Sequence, residues 1–247
     1  MTELSYTKIR SFLDCPWLFK LRFIEEWKAP PSPQASLGIS LHKALELYHA
    51  SGDTRQIELS ACLDTVWERA GYRDAQEELG FYDRAQEILG SYQRDIVPKW
   101  RGTIWAIEKD FTLELPDEDV RLMGTIDRID HMPEGGYCVI EYKTHAEPWQ
   151  QTRIDDDLQM TIYAHGAETA LGLAGETLDL CFFFVAQGRC VATRRHDEHW
   201  DKALAVIRDV ADLLRSGDYT PDTTHCGGCQ MRNICVHSQA RDDKTTQ

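Results

Sequence analysis

The sequence predicts a mixed α/β sheet with an all-helical insert near its front, and three observations lead there. Residues 56–100 carry helical periodicity, most plainly in FYDRAQEILGSYQRDIV. Residues 104–144 switch to period two, and helices and strands then alternate to the end of the chain. At 247 residues the chain can bury one substantial core.

Taken in order, Ser5 is placed to cap a helix through YTKIRSFLDC, with Ile9, Phe12 and Leu13 on one face. Pro16 interrupts its continuation through WLFKLRFIEEW, because a mid-helix proline removes a backbone bond. APPSPQASLG reads as a loop, and a second helix starts near Gly38 with Leu41, Leu45 and Tyr48 aligned. The insert has breaks around Gly71 and Gly80. IWAIEKDFTLEL, VRLMGTIDRIDHM and YCVIEYKT then read as three successive strands, turning at Pro116 to Asp119 and Pro133 to Gly136. After a polar connector, DDDLQMTIYAHGAETALG reads as a helix capped by one of its aspartates. LDLCFFFVAQGRCVATRR supplies two more strands around Gln187 and Gly188, and HWDKALAVIRDVADLLRSG the last helix.

No long apolar segment and no secretory signal is present, so the expectation is a soluble, cytoplasmic protein with no membrane contact. The net charge of −14 argues against non-specific adhesion to nucleic acid, though a local basic track beside acidic metal ligands remains compatible with it. Eight cysteines without an export signal point away from a disulfide framework. Cys62, Cys138, Cys181 and Cys190 are isolated and read as small buried side chains.

The chemistry concentrates in two places. In VIEYKT, Glu141 and Lys143 leave the same face of a strand, where a carboxylate can hold a hard cation and an ammonium can meet phosphate charge. By itself such a pair is more often a solvated ion pair. Asp127, one strand earlier in GTIDRID, can converge on the same position, and two close carboxylates need a cation or a proton between them. Asp130 alternates to the opposite face, with strand-end solvation as its plain role. His42 sits on the second helix in a polar stripe with Glu46 and His49. Gln159 and Tyr163 are four apart on the helix after the E-x-K strand. The second place is THCGGCQMRNIC, where Cys226, Cys229 and Cys235 bring three thiolates into ten residues, with Cys15 in FLDCPWLF as a fourth. Spacing alone leaves tetrahedral zinc and an iron–sulfur cluster both open.

The order G-x3-H (Gly38 to His42), G-x-I-D (Gly124 to Asp127), E-x-K (Glu141 to Lys143) and Q-x3-Y (Gln159 to Tyr163) resembles the RecB-like branch of the PD-(D/E)xK nuclease superfamily. Its relatives include the nuclease domain of AddB and the nucleases of CRISPR adaptation. The resemblance implies a restriction-endonuclease-like sheet flanked by helices, with an iron–sulfur subdomain formed by both termini. It implies that His42, Asp127 and Glu141 hold Mg²⁺ or Mn²⁺, with the Tyr142 carbonyl a further ligand, that Lys143 is the catalytic lysine, and that Gln159 and Tyr163 support the site. Many members have Asp where this chain has Glu141. One early and three late cysteines imply a [4Fe-4S] cluster on Cys15, Cys226, Cys229 and Cys235. Residues 1–247 then form one nuclease domain: 1–28 and 216–240 jointly bind the cluster, 50–100 are the insert, and 101–215 the catalytic core.

The implied reaction is hydrolysis of DNA phosphodiester bonds at single-stranded ends, in repair, recombination or CRISPR adaptation. No G-x4-G-K-[ST] sequence is present, so unwinding would fall to a partner helicase. Lys8, Arg10, Lys20 and Arg22 with Trp17 and Phe19 read equally as a strand-binding track and as solvated cations around packed aromatics. Arg232 is a further candidate for backbone contact. Two rival functions stand beside the nuclease: a non-catalytic nucleic-acid-binding or assembly subunit, and a metal-stabilised structural protein.

Overall fold

The structure is a computed structural model that describes residues 1–52, 57–144 and 148–241. Residues 53–56 of the expected insert and 145–147 of the connector lie outside the described residues.

A short strand not anticipated from sequence, β1 (Thr2–Leu4), precedes α1 (Tyr6–Asp14), whose N-terminus is capped where the Ser5 hydroxyl accepts the Lys8 N–H at 3.3 Å. Cys15 is extended, and Pro16 opens α2 (Pro16–Phe19) at a position where its missing N–H costs nothing. A π-helical turn follows over Lys20–Ile24. The next helix, α3 (Pro33–Ala50), begins five residues before Gly38, because Ser32 caps it and Pro33 occupies its first turn; the end of the expected loop is therefore helix. Within the insert, α4 (Leu59–Val66) and α5 (Ala75–Ser91) are separated at Gly71, whose φ of +89° suits glycine alone. The expected break at Gly80 does not occur: α5 runs through it, since one interior glycine costs only about 1 kcal/mol.

The strands β2 (Thr103–Leu115), β3 (Val120–His131) and β4 (Tyr137–Lys143) fall within a residue of the expected bounds. A five-residue helix, α6 (Gln151–Asp155), lies inside the segment read as connector. Helix α7 (Leu158–Thr169) is capped by Asp157, and β5 (Leu178–Phe184), β6 (Arg189–Thr193) and α8 (Asp197–Ser216) complete the chain. The strand order is β1-β3-β4-β5-β6, with β2 pairing β3; β4 and β5 run parallel, while β3–β4 and β5–β6 are antiparallel. The fold is α/β with a mixed six-stranded sheet.

The chain divides into two compact units, through which β2, β3 and α8 pass. The first comprises Met1–Pro30, Thr112–Met123 and Asp201–Gln247. In it, Thr2–Leu4 pair with Val120–Leu122, and buried Glu118 receives Arg208 at 2.8 Å. Ala203, Ile207, Val210 and Ala211 form the buried stripe of α8.

The second unit comprises Pro31–Phe111 and Gly124–Trp200. Alternation sorts its sheet residues cleanly. Cys138, Ile140 and Tyr142 of β4 and Cys181 and Phe183 of β5 join one core with Leu41, Leu45 and Tyr48 of α3, Leu59 and Leu63 of α4, and Ile88 and Leu89 of α5. The insert is thus scaffold: its apolar face covers the sheet, each fully buried leucine contributing about 1.5–3 kcal/mol. Glu141 and Lys143 leave the other face.

On that unit Phe111 is wedged between two glycines. A Cβ at Gly124 would meet the Phe111 ring at 2.5 Å, and one at Gly166 would meet it at 2.5 Å as well. Gly124→Ala should lower stability by about 1–3 kcal/mol, measured by urea denaturation, because Phe111 has Gly166 behind it and cannot retreat.

Candidate active site

Strands β3 and β4 pair regularly from Arg128↔Ile140 to His131↔Tyr137. Just beyond that ladder, the Tyr142 N–H, two residues past Ile140, is taken by the Asp127 side chain, Oδ2 accepting at 2.8 Å. A side chain standing in for a backbone acceptor lets the strands part while leaving no amide unsatisfied. Asp127, Glu141 and Lys143 sit at this parting.

The Glu141 carboxylate is 5% exposed, and its two oxygens differ. Oε1 accepts from Lys143 Nζ at 3.0 Å and from Gln159 Nε2 at 2.8 Å. Oε2 is buried with no hydrogen-bond partner among the described residues. Gln159 also accepts from Lys143 at 2.9 Å and donates to the Tyr163 hydroxyl at 3.1 Å, so α7 holds both E-x-K groups with one amide. Tyr163 in turn meets Phe111 edge-on. His42 approaches Asp127 at 3.5 Å and hydrogen-bonds the Tyr142 backbone. Gly38 lets α3 come this near, since a Cβ there would lie 3.3 Å from Thr144 Oγ1. The sequence-predicted residues His42, Asp127, Glu141, Lys143, Gln159 and Tyr163 therefore come together.

Burial, with Glu141 beside it, holds the Asp127 carboxyl well above the usual range, while burial lowers His42 and keeps it neutral near pH 7. A neutral imidazole, a desolvated carboxyl and an orphaned carboxylate oxygen form a donor set suited to a hard divalent cation. Among the described residues, no three His, Cys, Asp or Glu side chains are close enough to hold a metal ion as they stand. His42, Asp127 and Glu141, the metal ligands the resemblance implies, are thus neighbours that do not by themselves form a ligand shell.

Sequence reasoning missed Glu108. It lies on β2 with a left-handed φ of +43°, uncommon for a non-glycine residue. Although solvent reaches it, partial desolvation and the charges of Glu46, Glu141 and Asp110 push its carboxyl to about 7. The legible signal was the break in alternation between Ala106 and Phe111.

Behind the parting lies a polar network that corrects the solvated role expected for Asp130. Asp130 is fully buried and forms a two-point ion pair with Arg128, at 2.7 and 2.5 Å, while Trp100 Nε1 donates to it at 2.5 Å. Arg128 Nη1 also reaches the Tyr142 hydroxyl at 3.3 Å, the Tyr92 hydroxyl at 3.4 Å and His49 at 3.1 Å. Burial and Arg128 depress His49 to about 3, so it is neutral and joins this network instead of a stripe with His42. Arg128 neighbours Asp127 and Tyr142 neighbours Glu141 and Lys143, so the network braces both strands from the opposite face.

In the first unit, Cys15, Cys226, Cys229 and Cys235 line one cavity of about 610 Å³. Cys15, Cys229 and Cys235 pack around Leu18, Leu21 and Met231. Burial raises the Cys229 thiol, the Met231 N–H opposes this, and Cys235, Cys15 and Cys226 push it further. The thiols share a cavity, but as they stand no three of them are close enough to hold a metal ion among the described residues, so the four-cysteine centre expected from the sequence is not formed by this arrangement alone. The nearby cations are engaged: Lys8 with the Glu3 carbonyl, Arg10 with Asp14, Lys20 with Glu25 and Arg22 with Ser11. Phe19 is buried among Phe12, Phe23 and Tyr219, and Trp17 lies edge-on to His237, so the packed-aromatic reading holds for Phe19. In the second unit, Cys181 and Cys190 are paired diagonally across β5–β6, opposite Ala192 and Phe183 in register and with Cα atoms 5.7 Å apart, correcting their reading as isolated buried side chains; Cys190 is exposed. Cys62 and Cys138 are free and buried.

Two measurements follow. Because the folded state raises Glu108 from 4.5 to about 7, and Asp127 likewise upward, these groups favour the fold below their unfolded values. That contribution is lost as pH rises through about 7. The thermal midpoint of metal-free protein should therefore fall between about pH 4.5 and 7, with a smaller fall in Glu108→Gln. Arg128→Met should cost about 3–5 kcal/mol in chemical denaturation by leaving Asp130 charged and unpaired, whereas Arg128→Met with Asp130→Leu should recover much of the loss.

Comparison with known proteins gives three findings. Nothing among curated proteins matches the chain. A solved structure described as the crystal structure of SSO0001 is similar at 15% identity with a TM-score of 0.35, over 81% of this chain and 84% of that one. The model of the family described as the PD-(D/E)XK nuclease superfamily matches residues 3–236, a span holding every residue of the site just described. With nearly the whole chain inside that match, the protein belongs to the PD-(D/E)XK nuclease superfamily.

Proposed function

We propose that this nuclease is a Mg²⁺- or Mn²⁺-dependent deoxyribonuclease of the RecB-like branch, acting exonucleolytically on single-stranded DNA ends. The observation that carries the metal site is the orphaned Glu141 Oε2, buried beside Asp127 and His42. A bare carboxylate oxygen in that position is costly unless a cation meets it. Bound there, the metal supplies a Lewis acid that polarises the phosphate and lowers the pKa of a water ligand. His42, Asp127 and Glu141 would hold it, with Glu108 close enough to add its charge. Lys143, oriented by Glu141 and Gln159, places its ammonium toward the scissile phosphate and offsets charge that develops there. Tyr163 fixes Gln159 and thereby the lysine.

The four cysteines would hold a [4Fe-4S] cluster that ties Cys15 to the late loop and contributes folding stability. The work of the enzyme falls in repair, recombination or CRISPR adaptation, where a separate helicase would supply single strands. Its acidic balance is compatible with that substrate only if local cations meet the phosphates.

Anaerobic cleavage assays with 5′-labelled, 3′-labelled and circular single-stranded DNA and duplex controls test the reading. Lys143→Ala should lose about 10²-fold or more in turnover while retaining Mn²⁺ binding, and Asp127→Ala should lose both. Wild-type rates in either variant would overturn the site assignment, and degradation of the circle would overturn the need for ends. Iron and sulfide analysis checks the cluster: Cys229→Ser should lose both elements and lower the thermal midpoint, whereas zinc in their place would give the alternative centre.

A further inference from the structure

The second unit carries an arginine that neither the catalytic site nor the fold accounts for. Trp149 packs edge-on against Phe182 and Phe184, the β5 residues that pair with Glu141 and Lys143 in register. Its ring therefore lies on the catalytic face of the sheet. Lys143 Nζ stands 5.4 Å from the ring centroid, and the Arg153 guanidinium lies 3.7 Å from the same centroid. One indole thus carries both the catalytic lysine and an exposed arginine.

The helix that presents Arg153 is pinned at every turn. Gln151 donates to the Ala192 carbonyl at 3.0 Å, Thr193 to Asp155 at 2.8 Å, and Arg195 to the Ile154 carbonyl at 2.8 Å; Ile154 itself is fully buried. Of the aspartates that follow, Asp155 is held by Gln151 and Thr193 and Asp157 by the first turn of α7, while exposed Asp156 acts on Arg195. Among the described residues no carboxylate forms an ion pair with Arg153. A planar cation stacked on tryptophan, on a braced helix and without an ion-pair partner among the described residues, is already ordered for a bidentate contact with an anion. In a chain of net charge −14, an unneutralised cation beside the catalytic lysine has an evident complement in a nucleic-acid phosphate.

We infer that Arg153, held flat on Trp149, is a substrate-binding residue that grips a backbone phosphate next to the scissile one. This rests on the nuclease reading above. It assigns α6 a function: the helix sets the register of the strand relative to Lys143. Lysine would be a poor substitute, because an ammonium stacks less well and cannot offer two parallel N–H groups.

The test uses the full-length protein with a fluorescein-labelled single-stranded oligonucleotide and, separately, a duplex. Anisotropy is measured with Ca²⁺ in place of Mg²⁺ from 50 to 300 mM salt, and cleavage with Mg²⁺ or Mn²⁺. Arg153→Ala should weaken binding about 5-fold at low salt and reduce the log–log salt slope by about 0.7 for single strands or 0.9 for duplex, the loss of one phosphate contact. KM should rise by a similar factor with kcat little changed. Arg153→Lys should fall between, and Trp149→Leu should reproduce the loss of affinity and of salt slope in the Ca²⁺ anisotropy measurement with circular dichroism unchanged. Arg84→Ala, an exposed cation of α5, removes the same net charge and should leave both readouts at wild-type values. An unchanged salt slope and KM in Arg153→Ala, or an equal effect from Arg84→Ala, overturns the inference. Wild-type protein that binds but never cleaves would instead overturn the nuclease reading while leaving the Arg153 contact measurable.

Discussion

Where β3 and β4 part, the Asp127 carboxylate accepts the Tyr142 N–H, and much of the second unit depends on that bond. Two antiparallel strands that continued their ladder would have no space for a substrate, and strands that parted without a substitute acceptor would leave a buried amide unpaired. Asp127 resolves both demands from the front. Arg128, one residue on, reaches the Tyr142 hydroxyl from behind while anchored to Asp130. The divergence is thereby held from two faces by adjacent residues of the same strand, and the carboxylates it exposes are fixed before any ligand arrives.

That arrangement concentrates like charge. Glu46, Glu108, Asp127 and Glu141 influence one another electrically, and among the described residues only Lys143 supplies a counter-charge by direct bond. Such a site is stable empty only by holding protons, which the raised Asp127 and Glu108 carboxyls do. On the metal-dependent reading proposed above, a divalent cation would do the same work at neutral pH without protons. The Lys143 ammonium is meanwhile held by two acceptors and two aromatic rings, which leaves its position defined and its charge directed.

The first unit follows a different logic. The apolar cluster beside its four thiols is small, with Leu18, Leu21 and Met231 at the centre, and the thiols line the adjoining cavity. A core that small contributes only a few kcal/mol, so a centre bridging Cys15 to Cys226, Cys229 and Cys235 would be a substantial share of what orders that segment.

Much of this was legible in the amino acids because it is local. Period-two runs placed β2, β3 and β4 within a residue, Ser5 and the aspartates before Leu158 announced their helices, and the family resemblance named His42, Asp127, Glu141, Lys143, Gln159 and Tyr163, which the fold brings together. Local signals failed where a neighbour decides. Ser32 and Pro33 began a helix inside a proline-rich stretch, three residues of β1 became a strand only by pairing with Val120–Leu122, and α6 is a helix held from outside. Glu108 entered the site through a left-handed kink, Asp130 proved to be a buried partner of Arg128, and Cys181 met Cys190 across a hairpin. The sequence by itself determined which side chains share a strand face or a helix turn, because backbone periodicity is intrinsic to the chain. Only the tertiary structure decided which of those faces meet, what each buried charge pairs with and which cation is left over, because desolvation and pairing are properties of surroundings that distant segments supply.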